Sequence, residues 1–140
     1  MRACALPTGS SATTWHAPRG KAAVLAIATA LEQTPSAWLA AADEALDALA
    51  FADAERFCED ALAAMPSGDG GAALVRRARA RVGLRRVDGA AEDARAAFEL
   101  ARAAADARGM AEAALALGSG FRFVQVDADL VAMLEASQRA

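Results

Sequence analysis

Between residues 35 and 66 the apolar positions fall at helical spacing. Trp38, Ala42, Ala45 and Leu49 step by four, three and four, with Leu46 beside them, and that spacing aligns side chains on one face of a helix. Thr34 followed by Pro35 marks its start, because a threonine oxygen accepts from an unpaired N–H and proline suits the first helical position. The pattern predicts a helix over 35–48. A second apolar face, formed by Phe51, Ala54, Phe57 or Cys58, Ala61 and Leu62, runs to Met65, where Pro66 and the SGDGG run at 67–71 end it. The short connection predicts an antiparallel hairpin.

The pattern continues downstream. Leu74, Val75, Ala78 and Val82 predict a helix over 72–86, Asp88-Gly89 reads as a turn, and 90–107 reads as the longest helix. Glu92 and Asp93 would then lie in its first turn, where acidic charge suits the helix dipole, and Arg108-Gly109 would close it. Within it Ala94, Phe98 and Ala101 repeat the spacing of Ala54, Cys58 and Ala61, a step of 40 residues. A third start at 110–117 is stopped by Gly118-Ser119-Gly120. Phe121, Phe123 and 124–126 form an apolar link, and Asp127 caps a last helix carrying Leu130, Val131, Met133 and Leu134. Upstream, 1–14 lacks periodicity and reads as a disordered leader. A helix over 19–33 brings Val24, Leu25, Ile27 and Leu31 into the core.

The 35–66 stretch resembles a tetratricopeptide repeat, a helix pair of about 34 residues. Trp38 matches the first-helix aromatic, Ala42 the small contact position, Ala54 and Ala61 the second-helix alanines, and Pro66 the closing proline. Leu49 departs from the usual turn glycine, and Phe57 stands one place early. More widely, ALDALAFADAERFCEDAL, EDARAAFELARAAADARG, AEAALALG and VDADLVAMLEAS resemble the repeat region of large bacterial LuxR-type or signal-transducing ATPase regulators. The resemblance implies an all-α, right-handed tetratricopeptide-like solenoid of about seven helices. Its repeat domain would cover 15–140, with hairpins at about 35–66 and 72–108 and a partial repeat at 110–140. It also implies a non-catalytic protein-interaction scaffold, the sensor or regulatory part of such a regulator, without its ATPase or DNA-binding domains. Partners would be a protein or the flanking domains. A short array exposes apolar surface at its ends, which suits self-association. The interior would hold Trp38, Phe51, Phe57, Phe98, Ala42, Ala54, Ala61, Ala94 and Ala101.

Composition changes this picture little. Alanine dominates, Asn and Tyr are missing, and the net charge of −3 argues against a general nucleic-acid binder. Residues 1–70 carry four basic and nine acidic side chains, and 71–140 carry eleven and nine. Cys4 and Cys58 make no disulfide framework, so reduced thiols and a cytoplasmic location fit, with Cys58 a small buried hydrophobe. The apolar run AAVLAIATAL at 22–31 is too short to span a bilayer. It reads as a buried helix; the alternative is a secretory signal segment ahead of a small secreted helical protein.

The most unusual local chemistry is RRARARVGLRR at 76–86. Arg76, Arg79, Gly83 and Arg86 step by three, four and three and so share a face, which the repeat register would turn toward an inner groove, with Asp43 and Asp47 at corresponding positions of the preceding hairpin. The two helices either neutralise each other across that groove or offer a polar site for an acidic peptide, a partner domain or a phosphate-bearing ligand. No enzyme constellation stands beside it. His16 is the lone histidine, Gly20-Lys21 lacks the first glycine and the hydroxyl of a phosphate-binding loop, and Asp127 with Asp129 falls short of a calcium loop. No cofactor or metal is expected.

Overall fold

A computed structural model describes residues 34–119 and 128–140. It is all-helical over them: α1 Pro35–Asp47, α2 Phe51–Ala64, α3 Gly71–Gly83, α4 Val87–Ala103, α5 Ala107–Ser119 and α6 Ala128–Arg139. Six helices lie among the described residues, and the seventh expected from the sequence, over 19–33, falls outside them. The leader over 1–14, the helix expected over 19–33 with its signal-segment alternative, His16, Cys4, Gly20-Lys21, the 121–126 link and the Asp127 cap lie outside them.

The first boundary follows from chemistry at the chain level. The Ala37 N–H donates to Thr34 Oγ1 at 3.3 Å, and Pro35 occupies the first turn. The α1 stripe then buries Ala41, Ala42 and Ala45 completely, while Trp38 and Leu46 cover the flank. Leu49, expected in that stripe, is 71% exposed because the helix has already ended.

The turns explain where the glycine-based reading fails. Leu49, Arg85 and Ala105 all have positive φ, of 58°, 63° and 54°. At each, two backbone bonds close the preceding helix: Leu49 to Leu46 and Ala50 to Ala45, Arg85 to Val82 and Arg86 to Arg81, Ala105 to Arg102 and Asp106 to Ala101. This is the left-handed helix stop that glycine usually serves, built three times without glycine. Asp88-Gly89 is consequently no turn but the first turn of α4, and Arg108-Gly109 does not close α4 but opens α5. There Asp106 Oδ1 accepts from the Gly109 N–H at 3.0 Å.

Helices α1, α3 and α5 begin at residues 35, 71 and 107, so the unit is 36 residues. The two left-handed residues Leu49 and Arg85 keep the same interval. So do Ala42, Ala78 and Ala114, each with no exposed surface. Alanine at these three places lets neighbouring helices approach closely. The expected 40-residue step is thus corrected. Ala54 corresponds to Ala90, and the extra spacing seen between Ala54 and Ala94 is one further helical turn along α4.

Each helix packs on the next, and α3 also touches α1 and α5, which places these three side by side. One core joins Val75, Ala94, Phe98, Met110, Leu117 and Met133; a smaller one joins Ala41, Ala45, Ala54, Phe57 and Cys58. The alanines expected inside are buried, as are Phe57 and Phe98, whereas Trp38 and Phe51 are half-buried. Trp38 stacks on Phe57 with ring centres 5.9 Å apart. Gly83 supports Phe51: a Cβ there would fall within 2.6 Å of three atoms of the ring. The end of α3 can therefore lie directly under that aromatic.

Candidate functional site

Helix α3 carries arginines on more than one face, and the fold divides them. Arg76 reaches α1, where its Nε donates to Asp43 Oδ1 at 2.7 Å and its Nη2 to Oδ2 at 2.9 Å. The fork-on-carboxylate geometry is the strong form of this bond. The Asp43 bond raises Arg76 above the ordinary arginine value against the opposing effect of burial. Nη1 also donates to the Ala72 carbonyl at 3.0 Å. This half-buried pair is the neutralising contact between the two helices.

Arg77 and Arg81, one helical turn apart, face the other way. Arg77 donates to both Asp93 oxygens at 2.9 and 2.7 Å, and the Asp93 bond raises its pKa as well. Arg81 bridges two helices, with Nε on Glu55 Oε1 of α2 at 2.9 Å and Nη1 on Asp93 Oδ2 of α4 at 2.9 Å. Arg86, in the turn before α4, adds a 2.6 Å bond to Glu55 Oε2. Glu55 and Asp93 are the buried charged residues of the described chain. Burial pushes the Glu55 carboxyl up, but the Arg81 hydrogen bond and the Arg86 charge together outweigh it and hold it below the usual carboxylate value.

Three cations thus surround two carboxylates. The excess positive charge falls on Arg86, whose side chain is 62% exposed and remains hydrated. No buried side-chain nitrogen or oxygen among the described residues lacks a hydrogen-bond partner. The arrangement is a closed structural lock between the first two helix pairs, and it engages Arg77, Arg81 and Arg86 with Glu55 and Asp93.

The five residues expected to line one groove are therefore separated. Asp43 and Arg76 come together. Arg86 departs to Glu55, because α3 stops at Gly83 and the positive φ at Arg85 turns the chain away from the stripe. Asp47 and Arg79 stay exposed on the α1 and α3 surfaces. Arg79 borders an apolar hollow of about 360 Å³ formed with Phe51, Val82, Gly83, Leu115 and Ser119. A second cavity of about 450 Å³ lies between α3, α4 and α5, where Arg76, Val75, Leu100 and Glu112 contribute to the wall.

Glu55, Arg77, Arg81 and Asp93 went unrecognised in the sequence, although the signal is there. Glu55 stands four residues after Phe51 and three before Cys58, and Asp93 three after Ala90 and four before Ala97. Both are carboxylates on an apolar stripe, and such a carboxylate demands a cation. Reading Asp93 as a first-turn charge followed from starting α4 three residues late; the acidic residue of its first turn is Asp88. Cys58 is buried and free, and burial pushes its thiol up to about 12.

Among the described residues no three His, Cys, Asp or Glu side chains are grouped to hold a metal ion, and no helix is long and apolar enough to cross a membrane. No family model matches the chain, and it finds no match among curated proteins or solved structures.

Proposed function

We propose that the chain is a short tetratricopeptide-like, right-handed α-solenoid that works in the cytoplasm as a non-catalytic protein-interaction scaffold. In this reading it is the repeat part of an ATPase-type transcriptional or signalling regulator. The observation that carries it is the 36-residue unit, close to the roughly 34 residues of that repeat. It brings α1, α3 and α5 side by side, each with a fully buried alanine at the same place. A layer of equivalent helices offers a continuous surface to a partner, whereas the strongest polar cluster is consumed internally. Scaffolding is what such a surface supplies without catalytic groups.

Two measurements test the reading. Inserting a second copy of residues 71–106 after residue 106 should yield a longer, still cooperative helical protein, because each unit of a repeat array contacts only its neighbours. Loss of helical circular dichroism would overturn the architecture. Affinity capture from host lysate, with the bound proteins identified and their interaction reconstituted from purified components, tests the role. A chain that retains no reconstitutable partner is not a scaffold.

A further inference from the structure

Six arginines lie between residues 76 and 86, and four of them are held by carboxylates: Arg76 by Asp43, Arg77 by Asp93, Arg81 by Glu55 and Asp93, and Arg86 by Glu55. Arg79 and Arg85 have no acidic partner among the described residues. They differ in setting. Arg85 is an exposed residue in the left-handed turn, whereas Arg79 borders the hollow shared by Phe51, Val82, Gly83 and Leu115. Leu115, in the same hollow, is 63% exposed.

The 36-residue unit explains how the two meet. Arg79 and Leu115 are equivalent positions of α3 and α5, so the side-by-side packing of these helices puts cation and apolar group next to each other. Gly83 shapes the hollow further, since the absent Cβ lets the Phe51 ring lie against the end of α3. A water-exposed arginine gains little by itself, but one beside an apolar wall binds a carboxylate with less competition from solvent.

We infer that this hollow docks a protein segment in which an acidic side chain stands next to a large apolar one, the carboxylate on Arg79 and the apolar group against Leu115, Phe51 and Val82. The inference rests on the scaffold reading and names the chemistry of its partner. Charge sets the choice of occupant: the wall contributes a cation with no counterion among the described residues, and apolar surface around it.

Selection of a random peptide library displayed on phage against the full chain provides the test. The expected result is enrichment of peptides with adjacent acidic and large apolar residues. Binding of a synthetic enriched peptide, followed by fluorescence anisotropy, should weaken about tenfold or more in Arg79→Gln and in Leu115→Ser. It should be unchanged in Arg85→Gln, which removes the other unpartnered arginine. All three substitutions are at exposed positions, and circular dichroism verifies that each variant is folded. Absence of enrichment, enriched peptides without the acidic-apolar pair, or equal loss in Arg85→Gln would overturn the inference. A dimer in light scattering that Leu115→Ser dissociates would assign the hollow to a second copy and overturn it too. A reconstituted partner that still binds Arg79→Gln would leave the scaffold reading standing while removing this site from it.

Discussion

Arg81 of α3 and Glu55 of α2 meet at 2.9 Å, with side-chain exposures of only 20% and 10%. Because Arg81 also holds Asp93, it is, among the described residues, the one that links both buried carboxylates. Replacing Arg81 with alanine removes a partner from each, and loss of a partner in a buried ion pair costs about 3–5 kcal/mol. Arg86→Ala should cost under about 1 kcal/mol, since its side chain is largely in water. Urea unfolding of the two variants checks the order; equal losses would mean that the bridge is not the controlling contact.

Glu55 gives the lock a pH dependence. Its folded pKa lies below the ordinary value of 4.5, so the unfolded chain takes up this proton at a higher pH than the folded one. The stability contributed by Glu55 is therefore present above about 4.5 and is lost as pH falls through the folded pKa. Urea midpoints followed from neutral pH into acid should decline less steeply for Glu55→Gln than for the parent chain. The same slope in both would place the acid sensitivity elsewhere.

Cys58 acts at the other end of the scale. Its thiol is raised from 9.0 to about 12, so the unfolded thiol ionises first and stability falls as pH rises above about 9. Cys58→Ala should flatten that alkaline decline. Peptide-mapped alkylation should leave Cys58 unmodified in the native protein and modify it in denaturant. Rapid native alkylation of Cys58 would contradict its burial.

The non-glycine turns leave stability unused. Leu49 and Arg85 adopt φ of 58° and 63° while exposed to solvent, a conformation that costs L-residues about 1–2 kcal/mol. Glycine relieves that strain but loses more chain entropy on folding, so Leu49→Gly and Arg85→Gly should each stabilise by about 0.5–1 kcal/mol. Neither residue shares a hydrogen bond with the other, so the gains should add. Thermal melts of both single variants and the double variant measure this.

Gly83 and the buried alanines set the opposite limit. Gly83→Ala drives a methyl group into the Phe51 ring, and Ala54→Leu or Ala94→Leu forces volume into positions with no exposed surface. Each should destabilise by about 1–3 kcal/mol. For Gly83→Ala, a near-ultraviolet or fluorine signal placed on Phe51 should also shift, and the destabilisation would run against the higher helix propensity of alanine.

The all-helical class was legible because Trp38, Ala42 and Ala45 or Ala54, Cys58 and Ala61 repeat at helical spacing, and that spacing is fixed by backbone geometry. The contact between Asp43 and Arg76 was legible for the same reason. Turn positions were not, because Gly89 and Gly109 look like stops while the stops are Arg85 and Ala105. Glycine served close packing and helix starts instead, and this displaced the inferred register to 40 residues. The split among the arginines depended on that error: a stripe drawn from Arg76 to Arg86 crosses a helix end, after which helical spacing no longer decides direction.

The ionic lock also gives the molecule uneven stiffness. Salt bridges tie α3 to α1, α2 and α4, and the exposed Arg95–Asp129 pair reaches from α4 to α6, whereas α5 contributes Met110, Ala113, Ala114 and Leu117 to an apolar contact and keeps its own Arg108–Glu112 pair on itself. Apolar surfaces slide where forked ion pairs do not. Bending or pulling on the two ends would therefore load directional ionic contacts among the first four helices and a close-packed, non-directional apolar seam between α4 and α5.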